Sequence, residues 1–224
     1  MSAHDPRSDL GRLSRAQPRQ VLTLDPHTLR VLRAAIYWHR CSGGAFDPVR
    51  AASRLLPKRP GLRAGQSHLN AIECLSDTEV RVSHPVAIDL GGIAKGYAVD
   101  QALAMLRSHG ITHARVNAGG DLAVMGEIAR AITLRHADDH PRHWHVGRIA
   151  MKQGAVATSV AARGLTELVA RSRHRRTPWR SATVRAPDGM TADALTKWAL
   201  QTSLLCPALR SALRAHRATM WRSR

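Results

Sequence analysis

In the stretch "AIDLGGIAKGYAVDQAL", residues 87–103, one lysine stands between glycines at the mouth of a helix. Glycines let a backbone approach a ligand closely and allow positive φ. A lysine in that place opposes the helix dipole, whose N-terminal end favours anions. A phosphate held by first-turn N–H groups and paired with Lys95 resolves the mismatch. A glycine turn before an ordinary amphipathic helix with an exposed lysine explains the same residues without a ligand. The stretch is neither GxxxxGK[ST] nor GxGxxG. Two further stretches carry comparable groups. "VNAGGDLAVMG" sets Gly119, Gly120 and Asp121 between two strands, which also reads as a tight hairpin with aspartate in its turn. "TADALTKWAL" sets Asp193, Thr196 and Lys197 on one helix face. A carboxylate and a hydroxyl there suit a hard cation such as Mg²⁺. Thr191 as a helix cap and Asp193 as a dipole-favouring residue of the first turn account for that pattern structurally.

The elements that must position these residues alternate irregularly. Residues 1–20 are polar with few apolar anchors. "LDPHTLRVLRAAIYWHRCSGG" reads as an amphipathic helix capped by Asp25 or Thr28, with Pro26 in its first turn and Gly43-Gly44 as its stop. "VRVSHPVAIDL" has the alternation of strands, broken at Pro85, and residues 93–109 read as a helix. Strand, glycine turn and strand follow in "THARVNAGGDLAVMGEI", with further strands in "RAITLRH", "WHVGRIAM", "QGAVATSV" and "SATVRAP". "TADALTKWALQTSLL" is a helix that Pro207 interrupts. Clustered strands with helices between them give an α+β class, mostly antiparallel, rather than strict βαβ alternation. The organisation this implies is a polar segment over 1–20, one domain over 21–206 and a basic tail over 207–224.

At 224 residues the chain can bury a substantial core, and its aliphatic composition must build it, since only one residue is phenylalanine. The net charge of +18 is arginine charge: four of the 34 basic residues are lysine (Lys58, Lys95, Lys152 and Lys197). Such charge attracts anionic ligands. Nucleic acid is disfavoured as the partner, because the arginines are scattered and the one dense run, "RSRHRR", has no interleaved aromatic to stack on bases. The three cysteines, Cys41, Cys74 and Cys206, form no metal-binding spacing. No apolar run is long enough to span a membrane, and the first residues have no signal-peptide pattern. The chain as it stands reads as cytoplasmic, with a periplasmic-face location if its N-terminus is shortened.

Taken in order, "SGGAFDPV", "IDLGGIAKGYAVD", "VNAGGDLAVMG", "GAVATS" and "ADALTK" resemble the FAD:protein FMN transferase family, also called ApbE-type flavin transferases. The resemblance runs over nearly the whole chain and implies a single ApbE-like α+β unit, shortened at its N-terminus. It implies FAD as substrate, Mg²⁺ as cofactor, transfer of FMN to a threonine or serine hydroxyl of a target protein, and release of AMP. It implies flavin contacts from Ala45, Phe46 and Asp47, FAD contacts from Lys95 and from the Gly119, Gly120 and Asp121 loop, and metal contacts from Gly91, Asp193 and Thr196. The chain departs from the family pattern at several places, and His4 stands where an aromatic is often found. "ELVARSRHRR" replaces "HIIDPRTG", "ATSV" replaces "ATSG", and Lys197 stands where threonine is usual. Glu167 and Asp47 are then the candidate general bases. The alternative is a degenerate FAD-binding protein, or a slow FAD pyrophosphate hydrolase, that modifies no partner.

Overall fold

The computed structural model describes residues 1–49, 69–134, 147–161, 179–203 and 206–223. The described residues divide into two compact units, one up to Ala94 and one from Lys95 onward.

The first unit opens with a short helix, α1 (Asp9–Leu13), whose N-terminus is closed by the Ser8 hydroxyl accepting from the Gly11 N–H. Leu10 and Leu13 are buried, so the polar first segment is anchored by an apolar pair that its composition obscured. Strand β1 (Val21–Thr23) leads into α2 (Pro26–Cys41). Asp25, rather than Thr28, caps α2, its carboxylate accepting from the His27 and Thr28 amides, while Thr28 is buried. Of Leu29, Leu32, Ile36 and His39, which their spacing sets on one face, the three aliphatic residues form a buried stripe and His39 is half-buried. Strands β2 (Ile72–Cys74) and β3 (Glu79–Val82) complete an antiparallel sheet in the order β1-β3-β2. The strand expected beyond Pro85 is not formed. Val86, Ala87, Ile88 and Leu90 are buried, but the Asp89 N–H donates to the Pro48 carbonyl instead of to a sheet neighbour.

The second unit begins with α3 (Ala94–Ser108), which ends at Gly110 in the left-handed region, φ +79°. Strands β4 (Ala114–Ala118) and β5 (Asp121–Met125) form a hairpin closed by Gly119 and Gly120. Both glycines have positive φ, +63° and +103°, as a two-residue turn that matches strand twist requires. Strands β6 (Arg130–Leu134) and β7 (Gly147–Met151) form a separate two-stranded sheet. Strands β8 (Gly154–Val160) and β9 (Ser181–Ala186) join β4, β5 and the last strand, β10 (Thr219–Ser223), in one antiparallel sheet ordered β10-β9-β8-β5-β4. Leu122, Val124, Ile132, Leu134, Met151 and Val156 pack as one core cluster drawn from β5, β6, β7 and β8. Two helices, α4 (Gly189–Gln201) and α5 (Pro207–Ala215), precede β10, so the C-terminal residues supply an edge strand as well as a helix.

Helix α4 lies across β8 and β9 and is buried on all sides from Thr191 to Leu200. It starts earlier than its sequence suggests. Asp188, not Thr191, is the cap, and its carboxylate accepts from the Thr191 N–H at 2.7 Å. Asp193 therefore sits one turn into the helix, beyond the first-turn amides of α4 itself.

The two helices close each other. Asp100 on α3 accepts from the first amides of α4, Gly189 N–H at 2.7 Å and Met190 N–H at 2.9 Å. Asp193 on α4 accepts from the Gly96 N–H in the first turn of α3 at 3.2 Å. The N–H groups at a helix start have no partner inside their own helix, and a carboxylate suits the positive end of the dipole. The two backbones meet at Gly96 and Gly189, where a Cβ on Gly96 would run into the Gly189 carbonyl. Because the obstacle is backbone, it cannot rotate away. Gly96→Ala is therefore expected to lower stability by about 1–3 kcal/mol, the usual range for overpacking, as read by urea unfolding. A change in midpoint no larger than that of an exposed substitution would show that the helices can part there.

Candidate functional site

The second unit brings four ionisable side chains into one cluster: Lys95 from α3, Asp121 from β5, and Asp193 and Lys197 from α4. Asp193 is fully buried and Lys197 is 5% exposed. An isolated charge at either position would be costly, so each must be paired and hydrogen-bonded. Lys197 Nζ donates to Asp193 Oδ1 at 2.8 Å, to Ser159 Oγ at 2.5 Å and to Thr196 Oγ1 at 3.4 Å. The other carboxylate oxygen of Asp193 is the one that accepts from Gly96. The Thr196 hydroxyl donates to the Asp193 carbonyl at 2.7 Å, and Ser159 Oγ lies 2.6 Å from Thr196 Oγ1. Thr196 and Lys197 thus face the sheet side of α4, where β8 presents Ser159.

Asp121 is the first paired residue of β5 rather than a turn residue, and pairs with Ala118. The Gly119–Gly120 turn is tied down by Asn117, whose side-chain oxygen accepts from the Gly120 N–H at 3.0 Å. The Asp121 carboxylate is 2% exposed, and its Oδ2 has no hydrogen-bond partner among the described residues. Lys95 Nζ lies 3.4 Å from that oxygen, with the lysine side chain 44% exposed. Asp121 therefore anchors a lysine whose side chain is partly exposed. Burial first, and the nearby Asp193 charge second, raise the Asp121 carboxyl to about 6, with Lys95 and Lys197 opposing the rise. Such a group exchanges a proton close to neutral pH. Of the first-turn N–H groups at this helix mouth, that of Gly96 already donates to Asp193.

The remaining sequence candidates lie in the first unit or outside the described residues. Ala45 and Phe46 are buried in a loop after α2, and the Asp47 side chain that follows them is 8% exposed. The loop backbone is held by Ser42, whose hydroxyl accepts from the Phe46 N–H at 2.9 Å, and by His39, whose Nδ1 is 3.0 Å from the Phe46 carbonyl. Asp47 accepts from the Val49 N–H at 3.1 Å and lies 3.9 Å from His39 Nδ1. The Gly91 N–H donates to Asp89 Oδ1 at 2.8 Å, and the Asp89 N–H reaches Pro48 in the "GAFDP" loop, so the two motifs adjoin. Glu167 lies outside the described residues. Sequence reading did not single out Ser159 or Asp100. The only signal for Ser159 was its place in "ATSV", and nothing local marks Asp100 as the cap of a helix 89 residues away.

The architecture is that of the ApbE proteins. The ApbE protein of Thermotoga maritima aligns over 99% of this chain and 83% of its own length at 24% identity, with a TM-score of 0.73. The flavin transferase ApbE of Vibrio cholerae aligns over 99% of this chain and 79% of its own at 20% identity, with a TM-score of 0.76. The ApbE family profile matches residues 1–204, and the chain belongs to that family. Two curated relatives, both named FAD:protein FMN transferase, are 26% and 27% identical to it. The first, from Treponema pallidum, is matched over 66% of this chain, and the second, from Chlamydia muridarum, over 55%. The matches span 45% and 43% of those relatives' own length, less than half of each.

Asp121 supplies a pH test. Its pKa is higher in the folded than in the unfolded chain, so the folded protein binds more protons between the two values. Stability contributed by the protonated carboxyl is present at low pH and is lost as pH rises from about 4 to about 6. Asp121→Asn removes that loss. The stability of Asp121→Asn relative to the parent is expected to rise by on the order of 2–3 kcal/mol between about pH 4 and pH 7, the scale of a two-unit shift. Parallel unfolding curves at the two pH values check it, and a pH-independent difference would refute the buried, raised carboxyl.

Proposed function

We propose that this chain is an FAD:protein FMN transferase. The observation that carries the reading is the Lys95–Asp121–Asp193–Lys197 cluster at the start of α3, in a chain of the ApbE family. In the proposed reaction the hydroxyl oxygen of a threonine or serine on a target protein attacks the FMN phosphorus of FAD. The pyrophosphate P–O bond to the adenylate half breaks, AMP leaves with the bridging oxygen, and the hydroxyl gives up its proton.

A pyrophosphate resists attack until its charge is neutralised, and catalysis of such transfers is chiefly positioning and electrostatics. Lys95 suits that role, because its ammonium lies against Asp121 while its side chain stays partly exposed. Ala45, Phe46 and Asp47 are the proposed flavin contacts, and Gly119 and Gly120 shape the turn beside Asp121. For the acceptor proton the candidates are Asp47 and Glu167. Asp47 is a buried carboxylate beside His39.

The resemblance brings an expectation of Mg²⁺ held by Gly91, Asp193 and Thr196. The side chains of that set do not fit a divalent cation as they stand. Each Asp193 carboxylate oxygen already has a donor, the Thr196 hydroxyl is committed to the Asp193 carbonyl, and the Lys197 ammonium lies among them. Two unit charges 4 Å apart interact by about 4 kcal/mol at an effective dielectric of 20, and a dication doubles the repulsion. Among the described residues no group of three His, Cys, Asp or Glu side chains offers another metal cluster. No step is therefore assigned to a metal ion. No helix of the described residues is long and apolar enough to cross a membrane.

Incubation with FAD, Mg²⁺ and a flavin-free acceptor protein bearing the target threonine is expected to give a covalently fluorescent band and equimolar AMP. AMP with free FMN and no labelled protein would replace this reading by FAD hydrolysis. Lys95→Ala is expected to weaken FAD by on the order of tenfold, about 1.4 kcal/mol, and to leave riboflavin affinity nearly unchanged in equilibrium fluorescence titrations. Equal losses for both ligands would count against phosphate recognition by Lys95.

A further inference from the structure

Asp193, Thr196 and Ser159 line a buried niche with oxygen. The hydrogen-bond directions within it can be followed atom by atom. The Thr196 hydroxyl hydrogen goes to the Asp193 carbonyl. The Ser159 hydroxyl hydrogen then goes to Thr196 Oγ1, and both hydroxyl oxygens turn lone pairs toward Lys197 Nζ. The three N–H donors of the ammonium meet three oxygens, one of them an ionised carboxylate. This set has the chemistry a hard divalent cation takes, carboxylate and neutral oxygens together, and it already encloses a positive charge.

We infer that Lys197 is the built-in cation of this site: its ammonium takes the place of a divalent metal ion among the Asp193, Thr196 and Ser159 oxygens. A covalently tethered single charge then does constantly what an exchangeable double charge would do only at sufficient metal concentration. The inference deepens the transferase reading and rests on it only for what the charge serves. The occupancy of the niche is independent of any flavin chemistry. Two consequences separate it from a salt bridge that merely fastens α4 to β8. The parent chain takes up no divalent cation through Asp193. Removal of the ammonium leaves an oxygen set that does.

Mn²⁺ alone, titrated into the full chain and followed by the free-ion signal in electron paramagnetic resonance, tests both. The parent and Asp193→Asn are expected to bind Mn²⁺ equally weakly. Lys197→Thr is expected to gain one site at least roughly tenfold tighter, a gain the Lys197→Thr, Asp193→Asn double variant loses again. Mn²⁺ binding by the parent that Asp193→Asn abolishes would overturn the inference, as would a folded Lys197→Thr with no gain. Circular dichroism decides whether that variant is folded. If it is not, Lys197→Ala takes its place, and FAD affinity of the parent serves as the second measurement. Equal FAD affinity in Mg²⁺ and in EDTA supports the inference, and a loss of more than roughly threefold in EDTA refutes it. Failure of the transferase reading has a different signature, since it leaves the Mn²⁺ results as expected and yields no covalent flavin.

Discussion

The second unit depends on where the charge of one carboxylate goes. Asp193 is fully buried in the middle of a helix that is itself buried on every side. An unpaired ion there would be untenable, so the surrounding structure must supply donors from fixed directions. Gly96 supplies one from the backbone and Lys197 another from the next turn of the same helix. The first requirement brings the start of α3 against α4, which demands glycine at the crossing. The second draws Ser159 and Thr196 into a polar network between α4 and β8. Lys95, one residue before Gly96, is then placed by the same contact that satisfies Asp193.

The exchange of caps between α3 and α4 gives this arrangement its rigidity. Asp100 and Asp193 each complete the other helix's first turn, so the two contacts share one geometry and strengthen together. Burial raises the Asp100 carboxyl above its ordinary value, and the Gly189 and Met190 amides pull it back. Asp121 has no such amide. Its Oδ2 lacks a hydrogen-bond partner among the described residues, and its carboxyl rises to about 6. The half-buried Asp100 and the buried Asp121 thus differ in character because one faces a helix terminus and the other faces a lysine.

Much of this was legible in the sequence, and the parts that were not share a cause. The segments "ARVNA", "GAVATSV" and "SATVRA" read as strands close to those observed, and the glycine pair at 119–120 read as the hairpin turn. The α2 stripe of Leu29, Leu32 and Ile36 was readable from its spacing alone. The start of α4 was misread because Thr191 and Asp188 are both competent caps, and only the folded backbone decides between them. The strand expected after Pro85 failed because apolar alternation reports burial, which that segment has, and not a neighbour to pair with. The site was legible as a set of residues, through the order of its motifs, but not as a network. Lys197 read as a departure from a pattern, and its three oxygen partners include Ser159, 38 residues away in sequence.

The turn at Gly119–Gly120 carries a consequence for how this chain can vary. Successive side chains of a strand point to opposite faces, so a shift of one residue in register exchanges the two faces entirely. Asp121 reaches Lys95 because the turn has two residues and pairs Ala118 with Asp121. A loop on a protein surface ordinarily tolerates changes in length, but here a single inserted or deleted residue would turn the carboxylate away from the lysine and bring an aliphatic side chain in its place. The length of this loop is thus as much a part of the site as the aspartate that follows it. Variation among functional descendants of this chain is confined there to substitutions that keep two residues with positive φ.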